Sequence, residues 1–228
     1  MNILAVETST MLGGVAIAND TLGIITELRI NVRATHSERL ITGIDFALKQ
    51  AGITISDIDA FGVSIGPGSF TGLRIGLSTI KGFSYSTGKP VVSVPTLEAF
   101  AWNFPYSKYP VCIMLDARKK EVYAAVFRWR DDNFERIVSE VSIRPVDLLK
   151  SLEGPVIFAG EGALLYREAI IDISGSNAIL APPQCMVPSP ANVAYLGLRK
   201  ATAEYFSEPV SLAPSYLRKS EAEIKFKG

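Results

Sequence analysis

The sequence predicts an α/β protein of two lobes, each a mixed sheet flanked by helices. Three short apolar segments at 3–6, 14–18 and 21–30, divided by turn-forming residues, give way to helical periodicity. The same order returns further on, where segments 111–115, 121–129 and 137–143 again precede helices. Between the two halves, Pro105 to Pro110 mixes prolines and aromatics without a period, as a connector does. The expected lobes are therefore 1–104 and 105–228. A hydrophobic content of 48% over 228 residues supplies a core for both, and no run of 18 apolar residues provides a membrane span.

In the first half, Met11-Leu12-Gly13 and Asn19-Asp20 separate three antiparallel strands. Glu7-Thr8-Ser9-Thr10 falls on the first turn, where a carboxylate and three hydroxyls can satisfy the turn's own backbone. Thr35-His36-Ser37-Glu38 has capping-box spacing, with Thr35 as the cap of a helix running to about Ala51 and ended by Gly52. Ile41, Ile44, Leu48 and Ala51 form its expected core stripe. His36, Leu40, Gly43 and Ala47 form a second one.

Ala60 to Ile65 reads as a buried strand stopped by Gly66-Pro67-Gly68. Ser69 then caps a helix from Phe70 to about Tyr85. Leu73, Leu77, Ile80 and Ser84 face a sheet, and Gly72, Gly76, Thr79 and Phe83 make another stripe. Each interior glycine costs about 1 kcal/mol against alanine, so Gly72, Gly76 and Gly82 forfeit roughly 3 kcal/mol that only close packing restores. The packing partner is either another element of the same domain or a helix of another chain. Both helices carry more apolar surface than one sheet needs, which favours a second partner.

Val91 to Val94 is a strand, and Pro95-Thr96 opens a helix through Leu97, Phe100 and Ala101. Past the connector, Asp116-Ala117-Arg118-Lys119-Lys120 is a charged turn between the first two strands. Residues 146–152 are a helix, 156–159 a strand, and Gly160-Glu161-Gly162 a turn; a helix at 192–205 closes the second lobe, and Lys219 onward is a frayed tail.

Several chemistries are excluded. Gly62-Val63-Ser64-Ile65-Gly66 matches the nucleophile elbow, but its serine lies inside the strand and the sole histidine, His36, precedes it. One histidine and two isolated cysteines, Cys112 and Cys185, make no zinc site. Gly66, Gly68 and Gly72 miss the dinucleotide fingerprint by one residue, and no Walker lysine follows them. The turn still offers backbone N–H groups to an anion at the helix N-terminus, with Arg74 one turn in. Lysine plus arginine equals aspartate plus glutamate at 23 each, so strong autonomous binding to nucleic acid is not expected. Glu7 interrupts the N-terminal apolar run too early for a signal peptide, and a cytoplasmic protein without a metal or cofactor is expected.

Ile3 to Ser9, His36-Ser37-Glu38-Arg39-Leu40, Gly66 to Gly76, Asp116-Ala117-Arg118 and Tyr216-Leu217-Arg218 together resemble the bacterial TsaB family, formerly YeaZ. The likeness spans the whole chain, with 66–76 its most specific part. It implies the two-lobed fold of actin, sugar kinases and Hsp70, built on ribonuclease H-like halves. It also implies a scaffold role in threonylcarbamoylation of adenosine in tRNAs that read codons beginning with A. The implied partners are TsaD, a paralogue carrying the catalytic metal site, and the ATPase TsaE; tRNA is met only through the complex. TsaD-like enzymes place two histidines on one helix, and this chain has one histidine in all.

On this resemblance, helices 36–51 and 70–85 dock TsaD, or a second copy when TsaD is absent. The expected interface is His36, Leu40, Gly43, Ala47, Gly72, Arg74, Gly76, Thr79 and Phe83, and a bulky residue at Gly76 is expected to block it without harming the fold. Glu7, Thr8 and Ser9 form a candidate vestigial nucleotide site. Arg118 stands where a phosphate turn of this fold needs glycine, which argues against nucleotide hydrolysis. The alternatives are a hydrolase of glycoprotease type and a small-molecule kinase or ATPase of the same fold.

Overall fold

β1 (Asn2–Glu7), β2 (Leu12–Asn19) and β3 (Gly23–Asn31) pair antiparallel in the computed structural model, which describes residues 1–31 and 36–217 and the side chains of 1–30 and 39–217. α1 (His36–Ala51), β4 (Ala60–Ser64), α2 (Phe70–Thr87), β5 (Val91–Val94) and α3 (Thr96–Ala101) follow. β4 adds to β1 and β5 to β4, both parallel, giving the order β3-β2-β1-β4-β5. Parallel strands need both faces covered, and β4 is buried along its whole length.

The second half contains β6 (Val111–Asp116), β7 (Val122–Arg130), β8 (Asn133–Ile143), α4 (Pro145–Lys150), β9 (Val156–Ala159), α5 (Glu161–Leu165), α6 (Arg167–Ser174), β10 (Ala178–Leu180) and α7 (Pro190–Thr202). Its order is β10-β9-β6-β7-β8, with β6–β7 and β7–β8 antiparallel and β6–β9 and β9–β10 parallel. This is the plan of the first sheet strand for strand, so the duplication expected from the sequence is present in the topology.

The helices do not all stay with their own half. α7, expected to close the second lobe, lies instead on the first sheet, where Val193, Ala194, Leu196 and Ala201 share a core with Ile3, Ala5, Ala16, Ala18 and Ala60. That sheet face is lined with alanines, so a helix must come close to fill it. Gly197 allows this, because a Cβ there would sit 2.7 Å from Ile3 Cδ1. In return, α3 lends Leu97, Phe100 and Ala101 to the core of the second sheet.

Gly160-Glu161-Gly162 is also more than a turn. Gly160 (φ 105°) leads directly into α5, and a side chain on Gly162 would meet the Met114 carbonyl oxygen at 2.9 Å. β8 begins four residues earlier than its alternation suggests, because Asp131 and Asp132 (φ 49° and 58°) close a tight hairpin from β7.

The other face of the first sheet carries α1 and α2, which cover Leu4, Val6, Ile17, Phe61 and Val63. Ser69 caps α2 as expected, its hydroxyl accepting from Gly72 N–H at 3.3 Å, and Gly88 (φ 70°) ends the helix. α2 presses on the end of β1: a Cβ on Gly72 would land on the Thr8 carbonyl oxygen, and one on Gly76 on the Thr8 hydroxyl. Gly82, farther along, meets nothing within 4 Å. Replacing Gly72 by alanine is expected to lose roughly 1–3 kcal/mol in urea denaturation by overpacking. Gly82→Ala is expected to gain about 0.5–1 kcal/mol through helix propensity. Equal shifts for the two variants would show that α2 does not approach β1 this closely.

Candidate partner-binding site

The bulk of β2 and β3 decides which face of α1 turns inward. Val15, Leu28 and Ile30 stand under Gly43, where a Cβ would lie 3.3 Å from Leu28 Cδ2. Leu40, Gly43, Ile44 and Ala47 are accordingly buried, while Ile41, assigned to the core by periodicity, is 50% exposed. The helix is rotated from its expected phase because a crowded sheet accepts the stripe with the small residues. Leu40, Gly43 and Ala47 therefore face their own sheet. The side chain of His36 and the Thr35 cap lie outside the described residues.

α2 keeps the expected inward stripe of Leu73, Leu77, Ile80 and Ser84. Gly72 and Gly76 are turned in as well, onto Thr8, so a bulky residue at 76 would strain the fold as well as any interface. Thr79 is half-buried, and so is Phe83, whose ring stacks on Phe61 at 5.7 Å. Arg74 is exposed. Its guanidinium carbon lies 3.7 Å above the Phe70 ring, and its Nε donates to Tyr216 Oη at 3.1 Å.

Tyr216 reaches this place because the chain after α7 runs back along the first half. Ser207 bridges to Val91, and Ser215 N–H donates to Ile65 O at 2.7 Å. Gly66 (φ 112°) makes room for it, since a Cβ there would crowd Ser215 O at 2.9 Å. Tyr216 also stacks on Phe70 at 5.2 Å. The sequence offered only separate motifs for these residues and no signal that they meet.

Ile41 and Phe46 of α1 thus face solvent on one side of the pair, with Phe70, Arg74, Gly82 and Tyr85 of α2 on the other. Exposure is 50% at Phe46 and 62% at Tyr85. Beside α1, a mostly apolar cleft is lined by Thr8, Met11, Leu28, Arg39, Leu40 and Gly43.

Glu7, Thr8 and Ser9 lie at the carboxyl end of β1, at most 1% exposed. Ser9 N–H donates to Glu7 Oε1, Thr8 N–H to Ser64 Oγ at 3.4 Å, and the Thr10 hydroxyl to Leu12 O at 3.0 Å. The turn is only partly self-satisfied, for Glu7 Oε2, Thr8 Oγ1 and Ser9 Oγ have no protein partner. Burial pushes the Glu7 carboxyl above its usual range. The Ser9 hydroxyl and N–H and the Ser64 hydroxyl oppose this in part, though Ser9 Oγ completes no hydrogen bond of good geometry.

These residues do not fit a nucleotide phosphate. The buried group is itself a carboxylate, and two amides at the start of α2 are in use: Ser69 N–H donates to Ser9 O at 2.6 Å and Gly72 N–H to Ser69 Oγ. Burial raises the Cys112 thiol to about 12. Among the described residues no three His, Cys, Asp or Glu are grouped to hold a metal, and no helix is long and apolar enough to cross a membrane.

Two copies of one five-stranded plan, with the same strand order and directions, define the actin, sugar-kinase and Hsp70 class. The solved structure of YeaZ from Pseudomonas aeruginosa superposes with a TM-score of 0.82 at 24% identity, covering 95% of this chain and 99% of that one. EutJ, an ethanolamine utilization protein from Carboxydothermus hydrogenoformans, gives 0.55 at 9% identity, over 86% and 90%. The family model described as TsaD, tRNA N6-adenosine threonylcarbamoyltransferase, matches residues 23–226. The tRNA threonylcarbamoyladenosine biosynthesis protein TsaB of Bacillus subtilis is 29% identical over 229 residues, covering 99% of this chain and 98% of that one. The chain belongs to the TsaB (YeaZ) family and carries a TsaD-type domain.

The buried carboxyl gives stability a definite pH dependence. A group whose folded pKa is raised contributes fully below its unfolded pKa, and the contribution is lost as pH rises through the folded value. Glu7→Gln removes that loss. Wild type is expected to lose stability relative to this variant as pH climbs above about 4, as read from thermal melts. Parallel melting curves across that range would contradict a carboxyl buried against its charge.

Proposed function

We propose that the chain is a binding subunit in the threonylcarbamoylation of tRNA adenosine, and that the solvent face of α1 and α2 docks the TsaD enzyme. The observation that carries this reading is that face itself. Its sheet side is filled, yet Ile41, Phe46, Phe70 and Tyr85 remain exposed beside Arg74. Aromatic residues and arginine are the anchors that interfaces favour. This surface replaces the glycine-faced one expected from the sequence, while the two helices are the same. TsaE joins the assembly and tRNA reaches the chain through it, which places the work in the cytoplasm. We also take residues 105–110 as the junction of the two lobes, since no strand or helix occupies them.

A catalytic role of its own has little support. Ser64, the serine of the elbow-like motif, is fully buried and accepts from Thr8 N–H. The same α1–α2 face serves a homodimer when the enzyme is absent, the helix pair packing against its own copy.

Phe46→Arg with Tyr85→Arg is expected to weaken association with the TsaD of the same organism by at least about tenfold, with little change in melting temperature. Size-exclusion chromatography with light scattering, on the chain alone and mixed with TsaD, reads both assemblies. Binding that survives the double substitution would place the enzyme on another face.

A further inference from the structure

Phe70, Arg74 and Tyr216 form a closed set of contacts near the start of α2. Besides the cation–π contact of Arg74 on Phe70 and its hydrogen bond to Tyr216, the two aromatic rings stack at 5.2 Å with 26° between their planes. Each side chain is thus held by the other two. All three still reach the surface, Phe70 being 37% and Tyr216 41% exposed.

Tyr216 is fixed from behind. Ser207 N–H donates to Val91 O at 2.8 Å, Lys81 Nζ to Val210 O at 3.5 Å, and Ser215 N–H to Ile65 O at 2.7 Å. The segment after α7 is therefore tied to β5, to α2 and to the end of β4, and Leu212 packs against the core beneath it.

Tyr216 takes the Nε proton of Arg74, and both amino groups of the guanidinium are left without a hydrogen bond or ion pair among the described residues. The helix supplies no acid to meet them, since α2 has no carboxylate anywhere between Phe70 and Thr87. On α1, Asp45 is taken up by Lys49 at 2.6 Å. The two amino groups make a planar fork that matches the oxygens of one carboxylate. Because Tyr216 fixes the direction of the fork beforehand, less ordering of a long side chain remains to be done on binding.

We propose that Arg74, positioned by Tyr216, receives a carboxylate of the docked TsaD enzyme. This rests on the reading of the α1–α2 face as the docking surface, and it names the chemistry of the group that meets that face. A single fixed fork bordered by aromatic rings suits one ion pair inside a protein interface, where the rings keep water from the pair. The net charge of +0 gives no general attraction for a polyanion.

The test is isothermal titration calorimetry of the full chain against the TsaD of the same organism, at about 50 to 300 mM salt. Arg74→Gln is expected to weaken binding about tenfold and to flatten its salt dependence. Arg74→Lys keeps the charge without the fork and should restore only part of the affinity. Tyr216→Phe keeps the ring and removes the acceptor. Alone it is expected to weaken binding about threefold, and on the Arg74→Gln background to add nothing, a coupling that a residue supporting the fold alone would not show.

Wild-type affinity in Arg74→Gln, with binding still weakened by Phe46→Arg and Tyr85→Arg, would overturn the carboxylate contact and leave the docking face standing. Failure of wild type to bind, or binding indifferent to that pair, would overturn the docking face and this contact with it. Equal losses from Tyr216→Phe on both backgrounds would overturn the positioning role. Intact TsaD affinity with weaker retention of tRNA by the Arg74→Gln complex would make Arg74 a phosphate contact and overturn the proposal.

Discussion

The approach of α2 to the end of β1 is the contact on which the first half depends. Two residues without side chains, Gly72 and Gly76, lie against Thr8, and Gly68 lies against Ser9. With α2 this close, the oxygens of Glu7, Thr8 and Ser9 are sealed from solvent, and Leu73, Leu77 and Ile80 reach the sheet. Every other property of the helix follows from that seating. The stripe beside the core becomes internal, and the solvent side passes to Phe70, Arg74, Gly82 and Tyr85. Tyr216 then completes the N-terminal end of the helix from 142 residues away.

A second constraint ties the halves together. α7 leaves the second half to lie on the first sheet, and a carboxylate marks the crossing. Glu27 Oε1 on β3 accepts from Arg29 Nε at 2.8 Å, from Ser189 Oγ at 2.7 Å and from Ala191 N–H at 3.2 Å. Burial alone would raise Glu27, but these donors and the Arg29 charge hold it below the usual carboxylate range. The negative group sits at the start of α7, where the helix dipole favours it. With α3 packed on the second sheet in exchange, neither half buries its core without the other.

Elements whose pattern is set locally were legible in the sequence. Ser69 and Gly52 mark helix ends by chemistry that needs no tertiary context, and the opening strands alternate with recognisable turns. The phase of α1 was not legible, because Ile41-Ile44-Leu48 and Leu40-Ile44-Ala47 are equally apolar at helical spacing; only the bulk of Leu28 and Ile30 chooses between them. The glycines of α2 announced a close approach without naming its partner, which proved to be Thr8. The placement of α7 depends on the alanines of four separate segments, and its own periodicity says only that one face is buried. Three-residue β10 and the short α5 and α6 carry too few residues for a period to appear.

The turns that a phosphotransferase of this fold would aim at phosphate are here committed to other work. At the first, Ser69 N–H and Gly72 N–H bond within the chain, and the Glu7 carboxyl is buried at the end of β1. At the second, the turn that elsewhere needs glycine carries Arg118, its N–H held by Asp116 and its side chain in solvent. The first turn has become part of the core that supports the exposed helix pair, and the second displays charge on the surface. What faces solvent is an apolar and aromatic surface over α1 and α2 and a turn of mixed charge between β6 and β7.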